Sequence, residues 1–116
     1  MIRTIINLEP GGDQSRSRVL AEITIINLTR GDGRLSSDYA WRVRKVDPGG
    51  RMTTAYGCLV DSYNENSVDL LWEVLQAWKS GTDVAIDNHG QPVRLINDHE
   101  AYWKAADPSP CTLLNN

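Results

Sequence analysis

YAWRVRKVDPGG, residues Tyr39 to Gly50, is the stretch on which the fold turns. Tyr39, Trp41, Val43 and Lys45 alternate with Ala40, Arg42, Arg44 and Val46. That is the two-residue period of a strand with one aromatic face and one basic face. Asp47, Pro48, Gly49 and Gly50 then make a tight-turn signal, because proline presets the first central φ and glycine accepts positive φ. The chain is therefore expected to return antiparallel, with Met52 to Val60 as the returning strand.

Working back toward the N-terminus, Val19 to Leu28 is the longest β-type run. Val19, Ala21, Ile23 and Ile25 fall on one side, and Leu20, Glu22, Thr24, Ile26 and Leu28 on the other, so both faces are partly apolar. Ile2 to Leu8 alternates in the same way, and EPGGDQSRS between the two runs is punctuated as a loop. The string TIINL occurs at Thr4 to Leu8 and again at Thr24 to Leu28. Two short copies are too few for a repeat architecture, which needs at least about three units to bury a core. They read as two strands of one sheet. A hairpin around PGGD sets Ile6 near Leu20 or Ala21, so the copies do not face each other. Near-identical edge strands also favour pairing between molecules, and a homodimer through the sheet is expected.

Working forward, SVDLLWEVLQAW places Val68, Leu71, Trp72, Leu75 and Trp78 at helical spacing. Asn66 or Ser67 suits the N-cap, Lys79 the negative end of the helix dipole and Gly81 the stop. Leu70 and Val74 widen the apolar arc beyond what one sheet face needs. Asp83 to Ile86 and Pro92 to Ile96 flank DNHGQ as a short hairpin, and NDHEAYWKAAD supports about two helical turns starting near Asn97 or Asp98. The whole is an α+β expectation: an antiparallel meander of about four strands covered by one amphipathic helix, then a short hairpin and a short helix. Residues 1–107 form one domain in this reading, and residues 108–116 a flexible tail.

With 116 residues, 41% hydrophobic and 23% charged, the chain is long enough for a single core. A net charge of −3 gives no overall field for a polyanion. The first apolar run is broken by Arg3 and then by Glu9 and Pro10, without the pattern of an export signal, so a cytoplasmic location is expected. Cys58 and Cys111 have no metal-site spacing. Either one thiol is buried and the other lies in the tail, or a bridge ties the tail down.

Three sets of residues are candidates for function. The surplus apolar surface of Leu20, Ile26 and Leu28 on the second strand, with Leu70 and Val74 on the helix, is a candidate protein-docking surface. Arg42, Arg44 and Lys45, with Arg51 across the turn, form an alternative nucleic-acid surface. Strand parity puts Trp41 opposite Arg42 and Arg44, however, and a solvated basic face accounts for the same residues. His89 and His99, amid Asp87, Asp98 and Glu100, are the ingredients of a metal-assisted hydrolase, a third reading. DNHG equally suits a hairpin turn and NDHE a helix start. No nucleophile elbow and no phosphate loop occurs, so neither metal nor cofactor is expected.

The order AEITIINLTRGDG, DYAWRVRKVD, SVDLLWEVLQAW resembles that of small uncharacterised α+β proteins of bacteria and their phages. The resemblance spans about residues 20 to 80 and rests on core positions, so it transfers no functional residue. It implies an accessory protein, and with the missing catalytic constellation it points to a non-enzymatic binding protein acting by protein–protein docking.

Overall fold

The computed structural model describes residues 1–8, 19–29, 35–62, 64, 66–81, 85–86, 92–93 and 98–114. Four strands, β1 (Ile2–Asn7), β2 (Leu20–Thr29), β3 (Leu35–Val46) and β4 (Met52–Leu59), form one antiparallel sheet in the order of the chain. The β3–β4 turn is closed by the Gly50 amide donating to the Asp47 carbonyl at 2.9 Å, with Gly50 at φ 80°. The Asp47 carboxylate also accepts from the amides of Gly49 and Arg51, the local bonding that makes aspartate a turn residue. Ile6 pairs with Ala21, and Thr4 and Arg3 pair with Ile23 and Thr24, so the two TIINL copies pass without facing each other. β3 begins at Leu35, earlier than alternation alone suggests, because Thr29 pairs with Leu35 beyond a register shift.

Helix α1 (Ser67–Ser80) follows, with the Asn66 side chain accepting from the Val68 amide and Gly81 in the left-handed conformation at the stop. A short antiparallel pair, β5 (Ala85–Ile86) and β6 (Pro92–Val93), precedes helix α2 (His99–Ala106). Asp98 caps α2 by accepting from the Ala101 amide. A 3-10 turn, Thr112–Leu114, ends the described chain. The architecture is α+β, and no helix among the described residues is long and apolar enough to cross a membrane.

Both faces of the sheet are covered: α1 covers one, as the sequence predicts, and α2 lies on the other. On one face Ala21, Ile23, Ile25, Trp41 and Val43 pack with Leu70 and Val74 of α1. On the other, Ala40, Cys58 and Trp103 of α2 form a second cluster joined by Ile26, Leu28 and Tyr56. A central strand covered on both faces is buried at consecutive positions, and Ala21 to Ile25 are all buried, Glu22 and Thr24 included.

Helix α1 is rotated from the orientation its periodicity suggests. Leu70 and Val74 are its buried residues, whereas Val68 and Trp72 are 57% and 60% exposed. The apolar arc is broad enough to accept either rotation, and polar anchors select one. Glu73 receives hydrogen bonds from the Ser62 hydroxyl at 2.7 Å and from the Asn64 amide.

The segment after α2 also differs from expectation. Residues 108–114 are not a loose tail: Cys111 is 4% exposed, and Thr112 bonds to β2 through Glu22. Cys58 and Cys111 are both buried and neither is in a disulfide, so no bridge holds this segment down.

Candidate functional site

The alternation of β3 that sends Trp41 and Val43 toward α1 sends Arg42 and Arg44 to the opposite face. Both arginines are buried there, at 4% and 8% exposure. A buried guanidinium needs a carboxylate and further acceptors to offset its desolvation. Arg44 lies across from Glu22 in the β2–β3 register, and its Nη2 donates to Glu22 Oε1 at 2.6 Å. The other Glu22 oxygen accepts from the Thr112 amide at 3.2 Å and from the Thr112 hydroxyl. Arg42 Nη2 donates to Asp107 Oδ2 at 2.9 Å, and Arg3 of β1 donates to the same oxygen. The Ser109 amide donates to Asp107 Oδ1 at 3.2 Å, and the Ser109 carbonyl accepts from Arg44 Nη1 at 3.1 Å. The chain beyond α2 is thus fastened to the sheet by alternating charged and backbone bonds.

Both carboxylates are ionised. Burial alone would raise the Asp107 pKa, but hydrogen bonds from Arg3 and Ser109 outweigh it and hold the group well below the usual carboxylate range. For Glu22 burial again raises the pKa, while the Thr112 bonds and Arg44 lower it further than burial raises it. Arg42 shows the reverse balance: burial and the like charge of Arg44 depress its pKa more than Asp107 lifts it. Arginine stays protonated throughout. Among the described residues, three guanidiniums therefore share two carboxylates, with one positive charge in excess.

These arginines floor a cleft of about 270 Å³ between α2, β4 and residues 107–109. Tyr56 of β4 and Trp103 of α2 supply aromatic lining. The Arg42 guanidinium lies 4.6 Å from the Trp103 ring centroid, a cation–π contact. Tyr56 is stacked on His99 at 5.6 Å with ring planes 8° apart, which steadies the α2 start against β4. Lys104 and Glu100 lie along the cleft and pair with each other at 3.5 Å as an exposed i,i+4 couple.

The four basic candidates are not assembled into one surface. Arg42 and Arg44 lie beneath the 107–112 segment; by strand alternation Lys45 belongs to the α1 side, where it is half-buried, and Arg51 is exposed at the β3–β4 turn. Of the apolar docking candidates, Leu70 and Val74 are in the core, Leu20 is half-buried near the end of β2, and Ile26 and Leu28 pack against the second cluster. The surplus of Ile26 and Leu28 is covered by this chain's own α2. Among the metal-site candidates, Asp87 and His89 lie outside the described residues, Asp98 is a helix cap, and His99 stacks on Tyr56. No group of three potential metal ligands occurs among the described residues.

Glu22 and Asp107 organise the site, yet neither is a sequence candidate. Glu22 did leave a signal, an acid inside the run Leu20 to Ile26 that demands a partner if both faces are covered. Asp107 left none, being separated from Arg42 by 65 residues. No family model, curated protein or solved structure matches this chain.

Proposed function

We propose that the chain is a non-enzymatic binding protein whose working surface is the cleft between α2 and β4. The observation that supports this reading is the pairing of concavity with chemistry. Apolar walls from Tyr56 and Trp103 stand over two buried guanidiniums that use only part of their donor capacity. Ligand sites combine an apolar lining with a few convergent polar groups in this way. The reading is tested by titrating a library of neutral and charged fragments into the full chain and following amide and indole NMR signals. Saturable shifts centred on Trp103, Lys104, Tyr56 and Ser109 are expected. Hits that map elsewhere, or an absence of hits, overturn it.

A second reading, self-association, is favoured by a separate observation. Val68 and Trp72 lie one turn apart on α1 and are more than half exposed, and tryptophan is enriched where partners dock. Asp69 is in the first turn and Lys79 in the last, so two antiparallel copies of α1 bring opposite charges together. Sedimentation across a wide concentration range is expected to reveal a dimer that Trp72→Glu abolishes. A monomer at every concentration removes this reading and leaves the cleft untouched.

A further inference from the structure

We propose that the cleft is a carboxylate site, holding the single carboxylate of an otherwise apolar ligand against Arg42 and Arg44. This deepens the binding reading above and rests on it. The first argument is charge. Among the described residues, Arg3, Arg42 and Arg44 are balanced by Glu22 and Asp107, and the Lys104–Glu100 pair adds nothing net. A monoanion completes the balance, whereas a doubly charged phosphate overshoots it in a place where burial magnifies any excess.

The second argument is donor capacity. Arg42 makes one bond at 2.9 Å and one stretched to 3.5 Å, both to Asp107. Arg44 makes one bond to Glu22 and one to Ser109. Each guanidinium carries more N–H groups than it uses, and the spare ones a ligand can reach are on the terminal nitrogens, because both Nε atoms are sealed from solvent. A planar carboxylate matches the fork of a guanidinium and accepts two parallel bonds from it.

The third argument is size and lining. A cleft of about 270 Å³ that is open to solvent admits a carboxylate with a small hydrocarbon or aromatic remainder. Tyr56, Trp103 and Pro108 offer the remainder apolar contact. Such a carboxylate has two natural sources, a free monocarboxylic acid or the C-terminal end of a peptide with an apolar last residue.

The test uses the full chain and four probes: 3-phenylpropanoate, its neutral amide, inorganic phosphate, and a short peptide ending in phenylalanine with a free or amidated terminus. Binding is read from the Trp103 indole signal and from the arginine Nε–H signals. The free acid is expected to bind at least tenfold more tightly than the amide. Tighter binding by the free-terminus peptide assigns the source to chain ends, and weaker binding assigns it to free acids. Arginine variants risk unfolding the protein, so the decisive variant is Thr54→Glu. Thr54 is exposed, lines the cleft and lies opposite Arg44 in register. A carboxylate placed there should keep the fold, shown by an unchanged or raised thermal midpoint, and reduce binding of the free acid at least tenfold. Equal binding of acid and amide overturns the carboxylate assignment while leaving a binding cleft. Tighter binding of phosphate also overturns it. If no probe shifts Trp103 or the arginine signals, the cleft holds solvent alone and the proposal falls.

Discussion

Gly57→Ala is expected to destabilise the protein by about 3 kcal/mol, the upper end of the usual cost of overpacking a core. Gly57 sits opposite Trp41 in the β3–β4 register, and the indole occupies the space a side chain would take. A methyl group added there would stand 2.9 Å from Trp41 Cη2 and closer still to Cζ2 and Cε2. Trp41 is 2% exposed and packed with the residues that α1 covers, so a rigid ring, and not the free end of a flexible chain, has to move. The sign of the effect is diagnostic. Gly57 is not among the positive-φ glycines, which among the described residues are Gly50 and Gly81. At an ordinary strand position, glycine to alanine stabilises by about 0.4–1 kcal/mol through the unfolded chain. A thermal midpoint lowered by ~10 °C or more is the expected reading for a chain of this size, and Trp41→Leu in the same background should recover part of it. A Gly57→Ala protein as stable as the parent would mean that the indole does not occupy this position.

That contact shows where a sequence stops being informative. The alternation from Tyr39 to Val46 and the DPGG turn specify β3 and β4 because both signals are local, and the observed register follows from them. Nothing local says that Gly57 is glycine to admit the ring of Trp41, since the two meet only after the turn closes. The α1 limits are likewise legible, with Asn66 and Gly81 marking its ends, but its rotation is not. Leu70, Leu71, Val74, Leu75 and Trp78 span so much of the circumference that periodicity cannot choose a centre, and Ser62 and Asn64 choose it by bonding Glu73. For the site, Arg42 and Arg44 are visible as a basic strand face, and the natural inference is that water covers them. The covering segment comes from beyond α2, where Asp107, Ser109 and Thr112 have the composition of an ordinary loop. Their roles appear only with the long-range pairing.

Asp107→Ala is expected to be the most damaging single change at the site, costing about 3–5 kcal/mol, because it removes the carboxylate from a buried guanidinium and leaves the charge in place. The loss is concentrated on Arg42, whose side chain is 5% exposed; Arg3 is 33% exposed and recovers solvation when the partner goes. Urea unfolding at neutral pH measures the total. The pH dependence then separates ion pairing from packing. Asp107 and Glu22 have folded-state pKa values below their ordinary values of 3.8 and 4.5. Their contribution is therefore fully present above those unfolded values and is lost as pH falls through the lower, folded ones. The parent should be equally stable at pH 7 and pH 5 as far as these groups are concerned, and should lose stability steeply below about pH 4. The alanine variant should start lower and fall less, so that the two curves converge in acid. Parallel curves would assign the loss to packing and remove the ionic account. A local readout completes the argument: Cys111 is a buried free thiol in the segment that Asp107 and Thr112 fasten to the sheet. If the acid is the fastener, Cys111 should react with a thiol reagent faster in Asp107→Ala than in the parent under native conditions, while Cys58 on β4 keeps its rate. Equal acceleration at both thiols would mean that the whole sheet has opened and that Asp107 holds more than the segment beyond α2.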